Sequence, residues 1–161
     1  MTSGQSNEQR DGDLSDLLSE LRVLLPGAQT LTAFLVILPF NTGFNDITNV
    51  ERGVYVITFL CSVLSLVLFT APASLHRLQR PLRDRDAFKT IATRFIIAGL
   101  VPLSVAIVLA SQLVISEVIS DVRMSWFVAS GVAVTILGLW WVYPVLSHLD
   151  QIPPTDRDLP H

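Results

Sequence analysis

Five polar residues at the two ends of the first predicted helical hairpin have side chains that could hold an anion or a proton. They are Glu20, Arg22, Gln29, His76 and Arg77, which we call the inner-face cluster. Two antiparallel helices joined by a short turn return to nearly the same depth, so an ion pair between Glu20 and Arg77 is geometrically possible. Two arginines beside a histidine suit an anionic headgroup or a proton-sensitive contact. The alternative is that both arginines extend to lipid phosphates and His76 caps the last carbonyls of its helix.

A second group of charges lies in the segment 72–94, between two long apolar runs. This segment holds six of the eleven basic residues of the chain. Besides Arg77 they are Arg80, Arg83, Arg85, Lys89 and Arg94, which we call the basic loop. Cytoplasmic loops of membrane proteins carry an excess of Lys and Arg, so this loop is predicted to face the cytoplasm and to contact anionic lipid.

The composition is that of a membrane protein. Half of the residues (50%) are hydrophobic, the mean hydropathy is +0.52, and the apolar residues form runs of about 20. The formal charge of −3 and the single basic loop are not typical of nucleic-acid binding. The single cysteine, Cys61, excludes an internal disulfide and a cysteine-rich metal site, and it is interpreted as a small packed hydrophobe.

The apolar runs predict four membrane spans, at about residues 22–40, 54–73, 95–115 and 126–146. An amphipathic helix that starts at Asp13 leads into the first span. Residues 1–12 are predicted to be a disordered tail and residues 150–161 a polar tail. The sequence therefore predicts an all-α integral membrane four-helix bundle over residues 13–149, with both termini on the cytoplasmic side.

Small residues recur along one face of three of these spans. The face of the second span carries Thr58, Ser62 and Ser65. The others carry Gly99, Ala106 and Ala110 in the third span, and Gly131, Thr135 and Gly138 in the fourth. Small-residue faces let membrane helices approach closely, which favours bundle packing or a homo-oligomer.

Residues that could perform chemistry inside the membrane are scarce. No predicted span has an ionisable group far from its ends, and the polar groups at depth are Gln29 and Gln112, for which interhelical hydrogen bonds are predicted. No metalloprotease, nucleotide-binding or nucleophile-elbow motif occurs. We expect neither enzymatic activity nor a metal or cofactor.

Two segments carry a resemblance to a known family. One has Glu20, Arg22, Pro26, Gly27 and Gln29, and continues to Phe40; the other has Ala71, Pro72, His76 and Arg77. With Phe44 and the run 51–60, they resemble an uncharacterised family of small four-span bacterial membrane proteins of actinobacterial type, over about residues 14–149. Some members of that family carry an automatic sodium:proton antiporter label. Antiport needs an embedded carboxylate, and the carboxylates near the spans here fall at or outside the interfaces, which disfavours that label.

Two functions from different classes fit these observations. The first is a non-enzymatic protein of the bacterial inner membrane, whose inner-face cluster holds the first hairpin together and contacts anionic lipid or a partner. The second is a small transporter or ion-conducting subunit that works as an oligomer. A conducting oligomer would place its polar side chains around a wet path, whereas a scaffold would bury them between helices.

The loop charges predict which side of the membrane the basic loop occupies. A cysteine placed at Gln79 is expected to react with a membrane-impermeant thiol reagent only from the cytoplasmic side, because Lys and Arg retain a loop there. Labelling from the periplasmic side of intact cells would overturn the predicted topology.

Overall fold

The computed structural model describes residues 2–41, 44, 47–78, 85–119 and 122–149, with the side chains of 2–18, 76, 78, 85–87, 89, 148 and 149 outside the description. Helix α1 spans Thr2–Ile37, and a short 3-10 turn, Leu38–Phe40, follows it. Helices α2 and α3 span Asn49–Leu78 and Arg85–Val118. Helix α4, Val122–Ile136, continues through a π-helix, Leu137–Val142, into α5, Tyr143–Leu149.

Within the described residues, four helical stretches are long and apolar enough to cross a membrane. They are Ser19–Phe40, Asn49–Leu75, Thr90–Val118 and Val122–Ser147. In the first stretch, 11% of the most apolar 18-residue window is buried inside the protein, and in the fourth stretch 6% is. Most of the apolar side chains of these two stretches therefore face outward. Apolar helices with this outward exposure are those of a multi-pass membrane protein. The prediction of an all-helical chain with four candidate spans is confirmed.

Helix α1 begins earlier than the sequence pattern indicates. It starts at Thr2, so it runs through most of the segment 1–12, for which we expected disorder. The first proline of the chain is Pro26, and a helix that is already nucleated gains one hydrogen bond with each added residue. The amphipathic segment and the first span therefore form one continuous helix, which includes Pro26.

The chain divides into two compact units, residues 1–110 and 111–161. The core of the first unit is built from all three of its helices: Leu21 and Ala28 of α1, Phe69 of α2, and Phe88, Ala92, Ile96 and Leu103 of α3. On α1 the buried residues Leu21, Ala28 and Leu35 recur every seven positions, which is the repeat of coiled-coil packing. In the second unit, α4 buries Ser125, Ala129 and Ile136.

Helix α2 starts with a reciprocal capping arrangement. The backbone N–H of Thr48 donates to Glu51 Oε2 (2.8 Å), and the backbone N–H of Glu51 donates to Thr48 Oγ1 (3.3 Å). This is the capping box of a Thr-x-x-Glu sequence, which satisfies backbone donors that have no partner in the first turn. Thr48 is therefore the N-cap of α2.

A tyrosine hydroxyl ties α2 to α1 where a proline leaves a carbonyl without its helical donor. Pro39 has no N–H, so it cannot donate to the carbonyl of Leu35 four residues earlier. The hydroxyl of Tyr55 donates to that oxygen instead, at 2.9 Å. Phe44 packs edge-on against Tyr55, with 5.0 Å between ring centroids, and Phe59 stacks on it at 6.3 Å. This contact fixes one end of the α1–α2 hairpin.

The π-helix has a local cause in the sequence. Pro144 lacks the N–H that would bond to the carbonyl of Trp140, and its ring crowds that carbonyl. The N–H of Tyr143 donates to the carbonyl of Gly138, five residues earlier, which is the π-helical pattern. The last span is therefore widened just before Pro144.

Helices α2 and α3 approach each other closely at Gly99. A Cβ on this residue would lie 2.6 Å from Cε1 of Phe69, which is fully buried, and 3.3 Å from Cβ of Leu68. A methyl group does not fit at the first distance unless the helices separate. Gly99 is therefore required by the contact itself, as small residues often are between membrane helices.

Gly99→Ala is expected to destabilise the protein by about 1–3 kcal/mol, because the added methyl overpacks the contact with Phe69. The measurement is the SDS mole fraction that unfolds the protein in mixed micelles. Gly53→Ala is the matched control, since a Cβ at Gly53 meets nothing within 4 Å and alanine favours the helix. Equal midpoints for Gly99→Ala and the unaltered protein would contradict this packing.

Candidate functional site

Two contacts fix how the three helices of the first unit are aligned along their axes. Thr32 Oγ1 on α1 lies 2.5 Å from Ser62 Oγ on α2, so these two residues share one depth. Leu68 on α2 likewise shares the depth of Gly99 on α3. Consecutive helices joined by short connections run in opposite directions, so depth can be counted from these pairs in both directions.

Three exposed arginines, one from each helix, lie close to one depth. Arg22 is ten residues before Thr32, which places it level with residue 72 of α2. Arg94 is five residues before Gly99, level with residue 73, and Arg77 is on α2 itself. At a rise of 1.5 Å per residue the three Cα atoms fall within about 8 Å along the helix axes. We call Arg22, Arg77 and Arg94 the arginine belt; all three side chains are exposed.

The structure describes the predicted inner-face cluster only in part, and it places Glu20 and Gln29 at different depths. Glu20 lies at the depth of the arginine belt and is exposed. Among the described residues, Glu20 and Arg77 form no ion pair. Gln29 is level with residue 65 of α2, about 18 Å deeper than Arg77 along the axis, so it does not join the cluster. His76 is in α2, with its side chain outside the described part.

The basic loop is described only in part. Arg85 and Lys89 belong to the first turns of α3, where the side chains are outside the description, and Arg80 and Arg83 lie outside the described residues altogether. Arg94, the last member of the loop, is one helix turn inside the candidate span Thr90–Val118.

Three hydroxyl side chains of α2 are buried, and each forms a hydrogen bond. Thr58, Ser62 and Ser65 are each 0% exposed. Thr58 donates to the carbonyl of its own helix at Val54 (2.7 Å), and Ser65 donates to that of Ser62 (2.7 Å). The Ser62 hydroxyl pairs with Thr32 across the helices. The predicted small-residue face is therefore a packing surface in which hydroxyls bond to backbone or to each other.

Gln112 is the exception among the buried polar residues. Its side chain is 4% exposed, and its Oε1 has no hydrogen-bond partner in the described part of the chain. The interhelical hydrogen bond that we predicted for this glutamine is not formed by that oxygen. An unsatisfied buried acceptor costs about 1–3 kcal/mol.

The potential metal-ligating side chains of the described part are dispersed. Among them, no group of three or more His, Cys, Asp or Glu side chains comes together in a way that could hold a metal ion. Cys61 is free and half-buried in the middle of α2. The arginine belt can bind anions, and this is the chemistry that the arrangement offers.

One structural role was not predicted from the sequence. In the sequence, Tyr55 belongs to the apolar run of the second predicted span, whereas in the structure its hydroxyl closes the α1–α2 contact at Leu35. The signal that could have indicated it is Pro39, four residues after Leu35, because such a proline leaves a carbonyl that needs a donor in the membrane.

Comparison with protein families decides the relationship. The profile of a family of unknown function (DUF6328) matches residues 3–144. The chain belongs to this family. The match covers both segments on which the resemblance rests and extends it toward the N-terminus, and it brings no activity with it. Comparison with curated proteins and with solved structures gives no match.

Gln112→Leu is expected to raise the free energy of unfolding by about 1 kcal/mol, since it replaces an unsatisfied acceptor with an apolar side chain of similar size. SDS unfolding of the full chain measures this, with Thr70→Val as the comparison variant, because the exposed Thr70 hydroxyl is bonded to its own helix. A clear loss of stability for Gln112→Leu would mean that the amide has a bound partner in the membrane.

Proposed function

We propose that this chain is a non-enzymatic multi-pass protein of the bacterial inner membrane, whose arginine belt holds anionic lipid headgroups on the cytoplasmic side. The observation that carries the proposal is the common depth of Arg22, Arg77 and Arg94 on three packed helices. Exposed guanidinium groups near one depth, at the end of packed membrane helices, match the phosphates of a lipid leaflet in charge and in depth.

The position of each arginine relative to its span supports a headgroup contact. Arg22 and Arg94 lie inside the candidate spans, three or four residues from their ends, and Arg77 lies two residues beyond the end of its span. At such positions an arginine extends its apolar stem along the helix and places its guanidinium among the headgroups. Within the described residues, no carboxylate forms an ion pair with Arg22 or Arg77.

The cytoplasmic orientation is part of the proposal and rests on the charge distribution. The arginine belt and the basic loop are at the same end of α2 and α3, and Lys and Arg accumulate on the cytoplasmic side of membrane proteins. With an even number of spans, both termini then lie in the cytoplasm. The assignment to a bacterial inner membrane rests on the family resemblance.

The alternative of an oligomeric transporter or ion-conducting subunit receives less support. Thr58, Ser62 and Ser65 would be the natural lining of a wet path, and here they are buried between helices with their hydroxyls bonded to backbone carbonyls or to Thr32. Hydroxyls that are buried and hydrogen-bonded in this way belong to the helix packing and do not solvate a moving ion.

Replacement of the belt is expected to release lipid. The variant with Arg22→Gln, Arg77→Gln and Arg94→Gln is expected to retain phosphatidylglycerol or cardiolipin more weakly, by roughly fivefold in affinity for each arginine. The measurement is native mass spectrometry after gentle release from membranes that contain equal amounts of anionic and zwitterionic lipid.

Arg52→Gln is the matched control for the belt variant, because Arg52 is also exposed but lies in the first turn of α2, at the opposite end of the helix. It is expected to leave the retained anionic lipid unchanged. Equal lipid retention by the belt variant and the unaltered protein would refute the proposal, and the simultaneous loss of a co-purifying protein would assign the belt to a protein partner.

A further inference from the structure

Gln29 lies at the midpoint of the first candidate span with its side chain exposed. The span Ser19–Phe40 places ten residues before it and eleven after it, so its amide is about 15 Å from either end. Within the described residues it forms no hydrogen bond. Hydrocarbon offers the amide no partner, and a bare amide there is costly.

Other exposed polar side chains of the spans satisfy themselves locally. Thr30 donates to the carbonyl of Pro26 at 2.8 Å, Thr70 to that of Leu66 at 2.9 Å, and Thr135 to that of Gly131 at 2.9 Å. A hydroxyl that bonds to its own helix can face lipid at little cost. Gln29 has two donors and an acceptor on a longer side chain, and it has no such bond.

The face of α1 that carries Gln29 has the spacing of a helix-packing seam. Arg22, Pro26, Gln29, Ala33 and Val36 follow one another at alternating steps of four and three residues, and all five are exposed. This seam is distinct from the buried one of Leu21, Ala28 and Leu35, because each step of one residue turns the helix by about 100°. Pro26 and Ala33 are short side chains one turn away on each side, so a second helix can approach the amide closely.

We propose that this seam binds the same seam of a second copy of the chain, with the two Gln29 amides hydrogen-bonded to each other at the membrane midplane. Copies of one membrane protein insert in the same orientation, so a two-fold axis along the membrane normal brings equal depths together. The Nε2–H of each Gln29 then donates to Oε1 of the other, and one self-complementary group satisfies both. This pairing is independent of the proposed lipid contact.

The charge on the same seam is compatible with the pairing. Arg22 is seven residues before Gln29 and three residues from the end of the span, so its guanidinium reaches the headgroups and water. Lipid phosphates and salt screen the two arginines of a dimer from each other at that level. At the midplane neither headgroups nor water can bond to the two amides, so the hydrogen bond between the amides is the interaction that selects this seam.

Cysteine cross-linking of the full chain in phosphatidylethanolamine–phosphatidylglycerol vesicles tests the seam. In a Cys61→Ala background, Ala33→Cys lies on the seam, one turn from Gln29, and Phe34→Cys lies about 100° away from it on another exposed face. Oxidation is expected to give at least threefold more disulfide dimer with Ala33→Cys. Equal cross-linking at the two positions would overturn the proposal.

Substitution of Gln29 separates the amide from general apolar contact. Gln29→Leu is expected to weaken dimerisation by about 3- to 30-fold, measured by energy transfer between labelled copies during lipid dilution, while Gln29→Asn retains most of it. Thr70→Val is the control, because this exposed hydroxyl of α2 is already bonded to its own helix. Unchanged dimerisation in Gln29→Leu would overturn the proposal. The proposal would also be overturned if this substitution released a bound lipid rather than a second copy of the chain.

Discussion

Hydrocarbon supplies no hydrogen bonds, and this constraint explains most of the polar contacts in the structure. Every polar group within a span needs a partner in the protein or must reach the headgroups. Thr58 and Ser65 meet this requirement through carbonyls of α2 itself. Ser62 meets it through Thr32, and so links α1 to α2. The hydroxyls that resemble a polar path in the sequence are thus part of the packing.

The same constraint applies to backbone carbonyls near prolines. Each proline inside a helix removes one donor and leaves a carbonyl four residues earlier without its helical bond. At Leu35 the missing donor is replaced by Tyr55, and this replacement joins two helices. Before Pro144 the helix instead widens into a π-helix, with Tyr143 bonding five residues back. One chemical cause therefore gives a tertiary contact in one place and a change of helix geometry in another.

The groups that the chain leaves without partners are the informative ones for function. The arginine belt is exposed at a depth where headgroups are available, so it needs no protein partner. Gln29 is exposed at a depth where no headgroup reaches, and Gln112 is buried with an unsatisfied oxygen. The exposed arginine belt is the basis for proposing bound lipid, and the exposed Gln29 is the basis for proposing a second copy of the chain. The unsatisfied oxygen of Gln112 lowers stability, and no described contact explains why it is there.

The sequence by itself determined the class of the protein, its four spans and the end at which its cations gather, because apolarity and charge are sums over a local segment of chain. The capping box of Thr48 and Glu51 is local in the same way, because its two residues are three positions apart. The tertiary structure decided which glutamine is buried and that Gly99 must accommodate Phe69. These depend on the rotation and axial alignment of one helix against another, which are set by contacts between residues far apart in the chain and are not encoded in the periodicity of any one helix.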